Sequence, residues 1–432
     1  MHSQVHPSET HIHVPDISHI GETYTLQPFS LDHSTVIDNL PDASQSTYRE
    51  RNEQLTAYED IYSPILRALR LFGLYFGEIS LTRLPSTLSF QKRRASIWLL
   101  FCCAVLGTVW LTVGLLLISL GLEGFTDITI FFRLLGSLVG YLLAALNGTI
   151  CLFVLPISQI RQSRFETFIR KLIECNAELK TLRSTSRKTV AAAGFIWITA
   201  TILVITSTHF LPQLYLGSNK PWNDWNGYSI TILYSFTLVL VYAVLLFPIP
   251  LYCMTCLILE RLFDDFYQRT TRKIGALDIW ALKEEHHRLC DVVEHASKVF
   301  SPLLFVTLSL QIPFICFTFF VAVQLNPSQE SSGSEYLTLG CVILIMQSAG
   351  NIAIFLFFGA RVNGKIHSVQ SILEGSVVSD EDQVKLLPFI FYLNCEPRGF
   401  SVGGLVVVTK SLCFTITGVI VSYCAVMLSM PT

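Results

Sequence analysis

Charge is scarce in this chain. Only 14% of its 432 residues are Asp, Glu, Lys or Arg, against about 25% in an ordinary globular domain. Hydrophobic residues make up 51%, and mean hydropathy is +0.51. A water-soluble core cannot hide that much apolar surface. The composition therefore excludes a soluble enzyme, a disordered chain and a nucleic-acid binder. No Asp or Glu lies deep in any long apolar run, and no inverted repeat is visible, which argues against a proton-coupled transporter. No nucleophile stands beside a base and no glycine-rich phosphate loop is present, so neither enzymatic activity nor a cofactor is expected. No apolar run follows Met1, and no signal peptide is expected. The net charge of −2 is silent about partners.

What is abundant is long apolar segments. Runs of about 20 apolar residues are the mark of a membrane-spanning helix. They occur near 96–120, 129–156, 190–211, 228–258, 301–323, 337–360 and 404–429. None alternates as a barrel strand does. The fold class expected is all-α, a polytopic membrane protein with seven transmembrane helices.

Lys and Arg set its direction. Of the 30, 27 fall before the first span or in the connections 158–189, 259–300 and 361–403. Lys220 alone falls in the alternate segments, and Arg133 and Lys410 lie within spans. The amino terminus is thus expected in the cytoplasm and the carboxyl terminus outside. Cysteines follow the same map. Nine of the 12 lie in spans, Cys175, Cys290 and Cys395 lie on the basic side, and none lies outside. Structural disulfides are not expected. A G-protein-coupled receptor has seven spans but the opposite direction. The Asp-Arg-Tyr and Asn-Pro-x-x-Tyr motifs of that class are missing too.

Two domains are expected. Residues 1–62 read as a disordered cytoplasmic tail holding six of the 11 histidines, and 63–432 as the membrane domain. The segment 63–77, SPILRALRLFGLYFG, has helical periodicity. It either lies on the inner leaflet or packs against the inner ends of the spans. Phe165, Phe168, Ile169, Leu172, Ile173, Leu179 and Leu182 form an amphipathic stripe. So do Leu289, Val292, Val293, Ala296, Val299 and Phe300. Both are too apolar for free loops, so inner extensions of the helices are expected to form a helical anchor layer. His287, Asp291 and His295 recur every four residues, a ladder that could ligate a metal. No fourth ligand is evident, and a solvated polar face is the expectation.

Polar groups inside spans are functional candidates. Arg133 either snorkels outward or meets a ligand, and His209 faces either a cavity or the interface. With Tyr234, Phe317, Gln347 and Asn351 they make up the ligand-pocket candidates, an apolar site with a few polar anchors.

The carboxyl-terminal residues carry a resemblance. They read Cys395-Glu-Pro-Arg-Gly-Phe-Ser-Val-Gly-Gly404, then LVVVTKSLCFTITGVIVSYCAVMLS to Ser429. This is similar to the terminal signature of the insect gustatory and odorant receptor superfamily. There a Pro-containing turn leads to a span ending in Thr-Tyr, five apolar residues and Gln-Phe. Here Ser422-Tyr423, Cys424–Leu428 and Ser429-Met430 take those places. SPILRALRLFGLYFG resembles the superfamily's amino-terminal segment. The departures at Ser422, Ser429 and Met430 point to a divergent gustatory-receptor-like member from nematodes or another non-insect animal.

The resemblance implies a multi-pass plasma-membrane protein acting as a ligand-gated non-selective cation channel. It implies a homo- or heterotetramer whose seventh span lines the pore. Val426 matches the apolar constriction, with Ser422, Tyr423 and Ser429 beside it. The partners implied are a small-molecule ligand and the lipid bilayer, with no nucleic acid. Two alternatives share the fold: a light- or oxidant-sensing receptor and a non-conducting signalling protein.

Overall fold

The computed structural model describes residues 58–71, 164–175, 182–215, 245–272, 279–324, 333–375, 387–393 and 397–429, with isolated helical positions near 107–111, 142–150 and 243. Within them the chain forms helix α1 (58–71), α2 (Arg164–Glu174), α3 (Leu182–Tyr215), α4 (Pro248–Arg272), α5 (Ile279–Gln324) and α6 (Gly333–Gly375). Helix α7 (387–393) follows, then a hairpin of β1 (Ser401–Val402) and β2 (Val406–Val407), and α8 (Lys410–Ser429). Three of the described helices, α5, α6 and α8, are long and apolar enough to cross a bilayer.

Length separates membrane from extension. Helix α5 has 46 residues and α6 has 43, about 65–70 Å each at 1.5 Å per residue. A bilayer core takes about 30 Å. Half of each helix therefore projects beyond it, and the projecting halves carry the charge. The stripe on α5 is continuous with its span. Leu289, Val292, Val293, Ala296, Val299 and Phe300 are all buried, as are Phe165, Phe168, Ile169, Leu172 and Ile173 of α2. The stripes are partners: α2 packs along α5. Cross-helix ion pairs rim this layer. Lys171 meets Asp291 and Lys365 meets Asp264. Arg269 lies 2.7 Å from Glu285, and Arg361 Nε 2.6 Å from Glu260 Oε1.

Helix α1 packs into this layer. Tyr58, Ile61, Tyr62, Ile65, Leu66 and Leu69 are buried. The Tyr58 hydroxyl donates to Leu172 O at 3.1 Å, and Ser186 Oγ to Ile61 O at 2.5 Å. Residues 63–71 thus follow the packed alternative, residues 72–77 lie outside the described residues, and the helix already includes 58–62, inside the stretch read from sequence as tail. The rest of that tail lies outside the described residues.

Proline placement shapes the long helices. Pro248 and Pro250 sit in the first turn of α4, where no intrahelical donor is lost. Pro302 and Pro313 lie inside α5. Pro302 has no N–H for the carbonyl of Lys298, and Arg164 of α2 donates to that oxygen instead at 3.4 Å.

The seventh apolar run differs from the sequence expectation at its start. The helix begins at Lys410, not at Gly404. Gly403 and Gly404 have φ of +64° and +75°, a left-handed region that glycine enters readily. They turn the chain into the hairpin, in which Ser401 pairs Val407 and Val402 pairs Val406. Thr409 then caps α8, its Oγ1 accepting from Leu412 N at 3.2 Å, which satisfies a free donor of the first turn.

Candidate functional site

Helix α8 is apolar over most of its circumference, yet none of its residues is buried. A soluble protein would not leave such a helix uncovered. It touches the core with one narrow face. Leu412, Cys413, Ile416 and Ile420 pack there, and Cys424 and Met427 continue the line half-buried. At about 100° per residue, the opposite face is Ser411, Thr415, Gly418, Ser422, Ala425 and Ser429. All six are exposed and recur at spacings of four, three, four, three and four. Phe414, Val421 and Leu428 flank this stripe on one side, and Val419, Tyr423 and Val426 on the other, all exposed.

Three hydroxyls of this helix are already committed as donors. Thr415 Oγ1 donates to Ser411 O at 3.1 Å, Thr417 Oγ1 to Cys413 O at 2.9 Å, and Ser429 Oγ to Val426 O at 2.7 Å. Their oxygens keep lone pairs free to accept, and Thr415 and Ser429 of the three lie on the stripe. A stripe of small side chains with acceptor oxygens suits a narrow path for a cation. Val426, 53% exposed, lies at the stripe's edge, about 60° from its centre. Tyr423 lies farther round, and Ser422 and Ser429 lie on the stripe itself.

The root of α8 is held differently. Val408 is fully buried, and its N–H donates to Phe400 O at 2.7 Å. Tyr252 of α4 stands at the centre of Phe300, Phe355 and Phe400, with centroids 5.4, 5.0 and 5.1 Å away. Its hydroxyl donates to Phe355 O at 3.0 Å. Gly359 of α6 lets Tyr252 and Val408 approach. A Cβ there would lie 2.7 Å from the Tyr252 hydroxyl and 2.9 Å from Val408 Cγ1. Ser401 N donates to Ser297 Oγ at 2.9 Å, and Ser401 Oγ to Ser301 Oγ at 3.2 Å. Sequence reasoning missed this joint, because its partners lie about 100 positions apart. The sequence reading also passed over the six-residue stripe, whose spacing of three and four was the signal that could have found it.

Farther from the membrane, His286 is buried among Phe263, Phe266 and Phe389, with centroids 5.7–6.0 Å away. Its Nε2–H donates to Ile366 O at 3.2 Å. Burial pushes the imidazole down to about 4, so it is neutral at neutral pH. Tyr392 accepts from Arg398 and meets His287 Nδ1 at 2.8 Å. The three-residue ladder is taken up by other contacts. Asp291 pairs with Lys171 and His295, and His287 with Tyr392. Among the described residues no group of His, Cys, Asp and Glu is arranged to hold a metal.

The ligand-pocket candidates are placed unevenly. Asn351 is buried in α6, 6% exposed. Gln347 lies one turn above it on α6 and Phe317 lies on α5, both half-buried. Gln311 of α5, 2% exposed, adds a buried amide, and its Oε1 has no hydrogen-bond partner. Arg133, Tyr234 and the side chain of His209 lie outside the described residues. Of the tryptophans, Trp197 packs on Phe247 and Trp280 under Lys283.

Residues 62–428 match a family described as 7tm Chemosensory receptor. The fold matches the insect olfactory receptor OR5 of Machilis hrabei, with a TM-score of 0.61 at 14% identity, covering 84% of this chain and 96% of that one. The structure of that receptor in complex with eugenol matches with a TM-score of 0.57 at the same identity and coverage. No curated protein matches the chain by sequence.

Proposed function

Because this chain belongs to the 7tm chemosensory receptor family and is a multi-pass protein of the plasma membrane, we propose that it is a ligand-gated, non-selective cation channel of the gustatory-receptor-like kind. In this reading four copies surround an axis, α8 of each copy faces the axis with its stripe of Ser411, Thr415, Gly418, Ser422, Ala425 and Ser429, and the amino terminus is cytoplasmic.

One observation carries the reading. Helix α8 is apolar, uncovered and held by a single face, while small residues and hydroxyl oxygens occupy the face turned away from the chain's own core. Lipid covers apolar flanks but gives no reason for a continuous small, polar stripe. Copies of the same helix around a water-filled path do, and closed rotational symmetry is the common form of homo-oligomers. The outward-facing oxygens favour cations. Val426, at the stripe's edge near the helix end, forms the apolar constriction that dewets in the closed state.

The ligand is a small organic molecule, as eugenol is for one solved relative. Gln347 and Asn351 are its candidate polar anchors and Phe317 an apolar wall, joined by Arg133, His209 and Tyr234. Binding favours the open arrangement by differential affinity and shifts the population towards it.

The test is recording from cells expressing the protein, challenged outside with a panel of aliphatic alcohols, phenols, esters and hexoses. The expected outcome is a cation current evoked by at least one class, with Val426→Ser raising basal current or altering conductance. Panel-evoked current whose conductance and leak are untouched by Val426→Ser would falsify the gate assignment. Surface-expressed tetramers without current under any stimulus would favour a non-conducting signalling protein.

A further inference from the structure

The contrast between the root and the body of α8 carries a mechanical consequence. The body is held by one face. The root is packed against α4 and α6 through Val408, and a hydrogen-bond network fastens it to α5. Ser297 and Ser301 stand one turn apart on α5 and are 6% and 8% exposed. Ser401 of β1 reaches both. Its N–H donates to Ser297 Oγ at 2.9 Å, its Oγ lies 3.0 Å from Ser297 Oγ, and it donates to Ser301 Oγ at 3.2 Å. Gly403 N donates to the carbonyl of Ser301 at 3.2 Å.

That last contact needs glycine twice over. Gly403 has φ +64°, and a Cβ would lie 2.8 Å from the Phe305 ring. The hairpin therefore clamps the turn of α5 on either side of Pro302. There the helix's own bonding is already broken, because Pro302 has no N–H for the Lys298 carbonyl, which accepts from Arg164 instead. A proline turn is where a helix bends most easily. The clamp sits at the junction between the extension of α5 and its membrane half.

We propose that Ser297, Ser301 and Ser401 are positioning residues that fasten the pore helix to the Pro302 turn of α5, so that bending of α5 carries the root of α8 with it. The clamp stays closed in both the resting and the open channel, and α8 swings about Val408 and Thr409. This rests on the channel reading above. It adds which helix drives the pore and through which groups. Rigid coupling needs short, mutually satisfied contacts at the joint, and these are seen there, whereas α8 beyond its first turn is held by apolar packing of one face.

Three variants test it, recorded with the panel of alcohols, phenols, esters and hexoses. Ser297→Ala with Ser401→Ala removes both hydroxyls while leaving the packing volume nearly unchanged. The loss of even one net hydrogen bond shifts the equilibrium between closed and released clamp about fivefold, and a released clamp no longer transmits the bend. The double variant is thus expected to lower the saturating evoked current about fivefold, with single-channel conductance and surface expression unchanged and the melting temperature lowered by a few degrees at most. Ser401→Thr alone keeps the hydroxyl and is expected to keep the wild-type current. In the third variant, Ser297→Cys with Ser401→Cys, Cd²⁺ on the cytoplasmic face bridges the two thiols and leaves evoked current intact.

Wild-type currents in the alanine double variant overturn the proposal. So does block of the cysteine pair by Cd²⁺ where single-cysteine controls are insensitive, because the clamp would then have to open. Absence of current from the wild type itself removes the channel reading, and the clamp's role with it.

Discussion

Gly359 is the position where one added methyl group should matter most. Its Cβ would lie 2.7 Å from the Tyr252 hydroxyl and 2.9 and 3.1 Å from Val408 Cγ1 and Cβ. Neither neighbour can yield cheaply. Both are fully buried, and the Tyr252 hydroxyl is held by its bond to Phe355 O. Gly359→Ala should cost about 1–3 kcal/mol in overpacking and about 1 kcal/mol for the disturbed Tyr252 bond. The gain from replacing a helical glycine is about 0.5–1 kcal/mol, so the net loss is about 2 kcal/mol.

Gly350 and Gly364 lie in the same helix, and a Cβ at either meets nothing within 4 Å. Alanine there should be neutral or stabilising. The difference between the sites is then about 3 kcal/mol, several degrees in melting temperature at the sensitivity expected for a large chain. The assay is thermal unfolding of the purified protein in nanodiscs, read by tryptophan fluorescence, with all three alanine variants side by side. Adding Val408→Ala to Gly359→Ala should recover part of the loss. Equal melting temperatures for Gly359→Ala and Gly364→Ala would refute the close approach that seats the root of α8 on α6.

Other perturbations have definite outcomes. His286 titrates at about 4 when folded and near 6.5 when unfolded. The unfolded chain therefore binds more protons between those values, and stability falls as pH drops from about 6.5 to about 4. The loss reaches about 3 kcal/mol, and melting temperatures of His286→Phe across that range should show a flatter slope than wild type. Removing Arg361 leaves the carboxylate of Glu260, 5% exposed, without its cation. Because Arg361 is itself 47% exposed, Arg361→Ala should cost about 1–3 kcal/mol, less than a fully buried pair. Glu260→Gln in the same chain should restore much of it, and thermal melts decide. Cysteines placed singly at Ser411, Thr415, Ser422 and Ser429 should react with a water-soluble thiol reagent and change current. Cysteines at Ile416 and Ile420 should do neither.

Much of the architecture is legible in the residues, for a physical reason. Hydrocarbon forces a helix to announce itself with about 20 apolar residues, and water forces the extensions of α2 and α5 to show their buried faces as stripes. That is why Phe165–Ile173 and Leu289–Phe300 stand out as faces in need of partners. The start of the seventh helix is not legible in the same way, because Gly404–Val408 is as apolar as the helix beyond it. Only the left-handed glycines and the Thr409 cap distinguish hairpin from helix. The joint of Ser297, Ser301, Ser401 and Tyr252 has no local signal at all, since small hydroxyls are common and their meeting depends on how α4, α5 and the hairpin pack. The face of α8 stands between these cases. Its period of three and four is open to reading, but its meaning depends on which side of the helix the core occupies.

The central claim is that α8 lines a pore at the axis of a tetramer. Density of the purified full-length protein in nanodiscs tests it most directly. The account predicts four copies about one axis, with α8 innermost, the hydroxyls of Ser411, Thr415, Ser422 and Ser429 turned to that axis, and Leu412, Ile416 and Ile420 turned away. A monomer, or an assembly in which α8 lies on the lipid-facing perimeter, would contradict it.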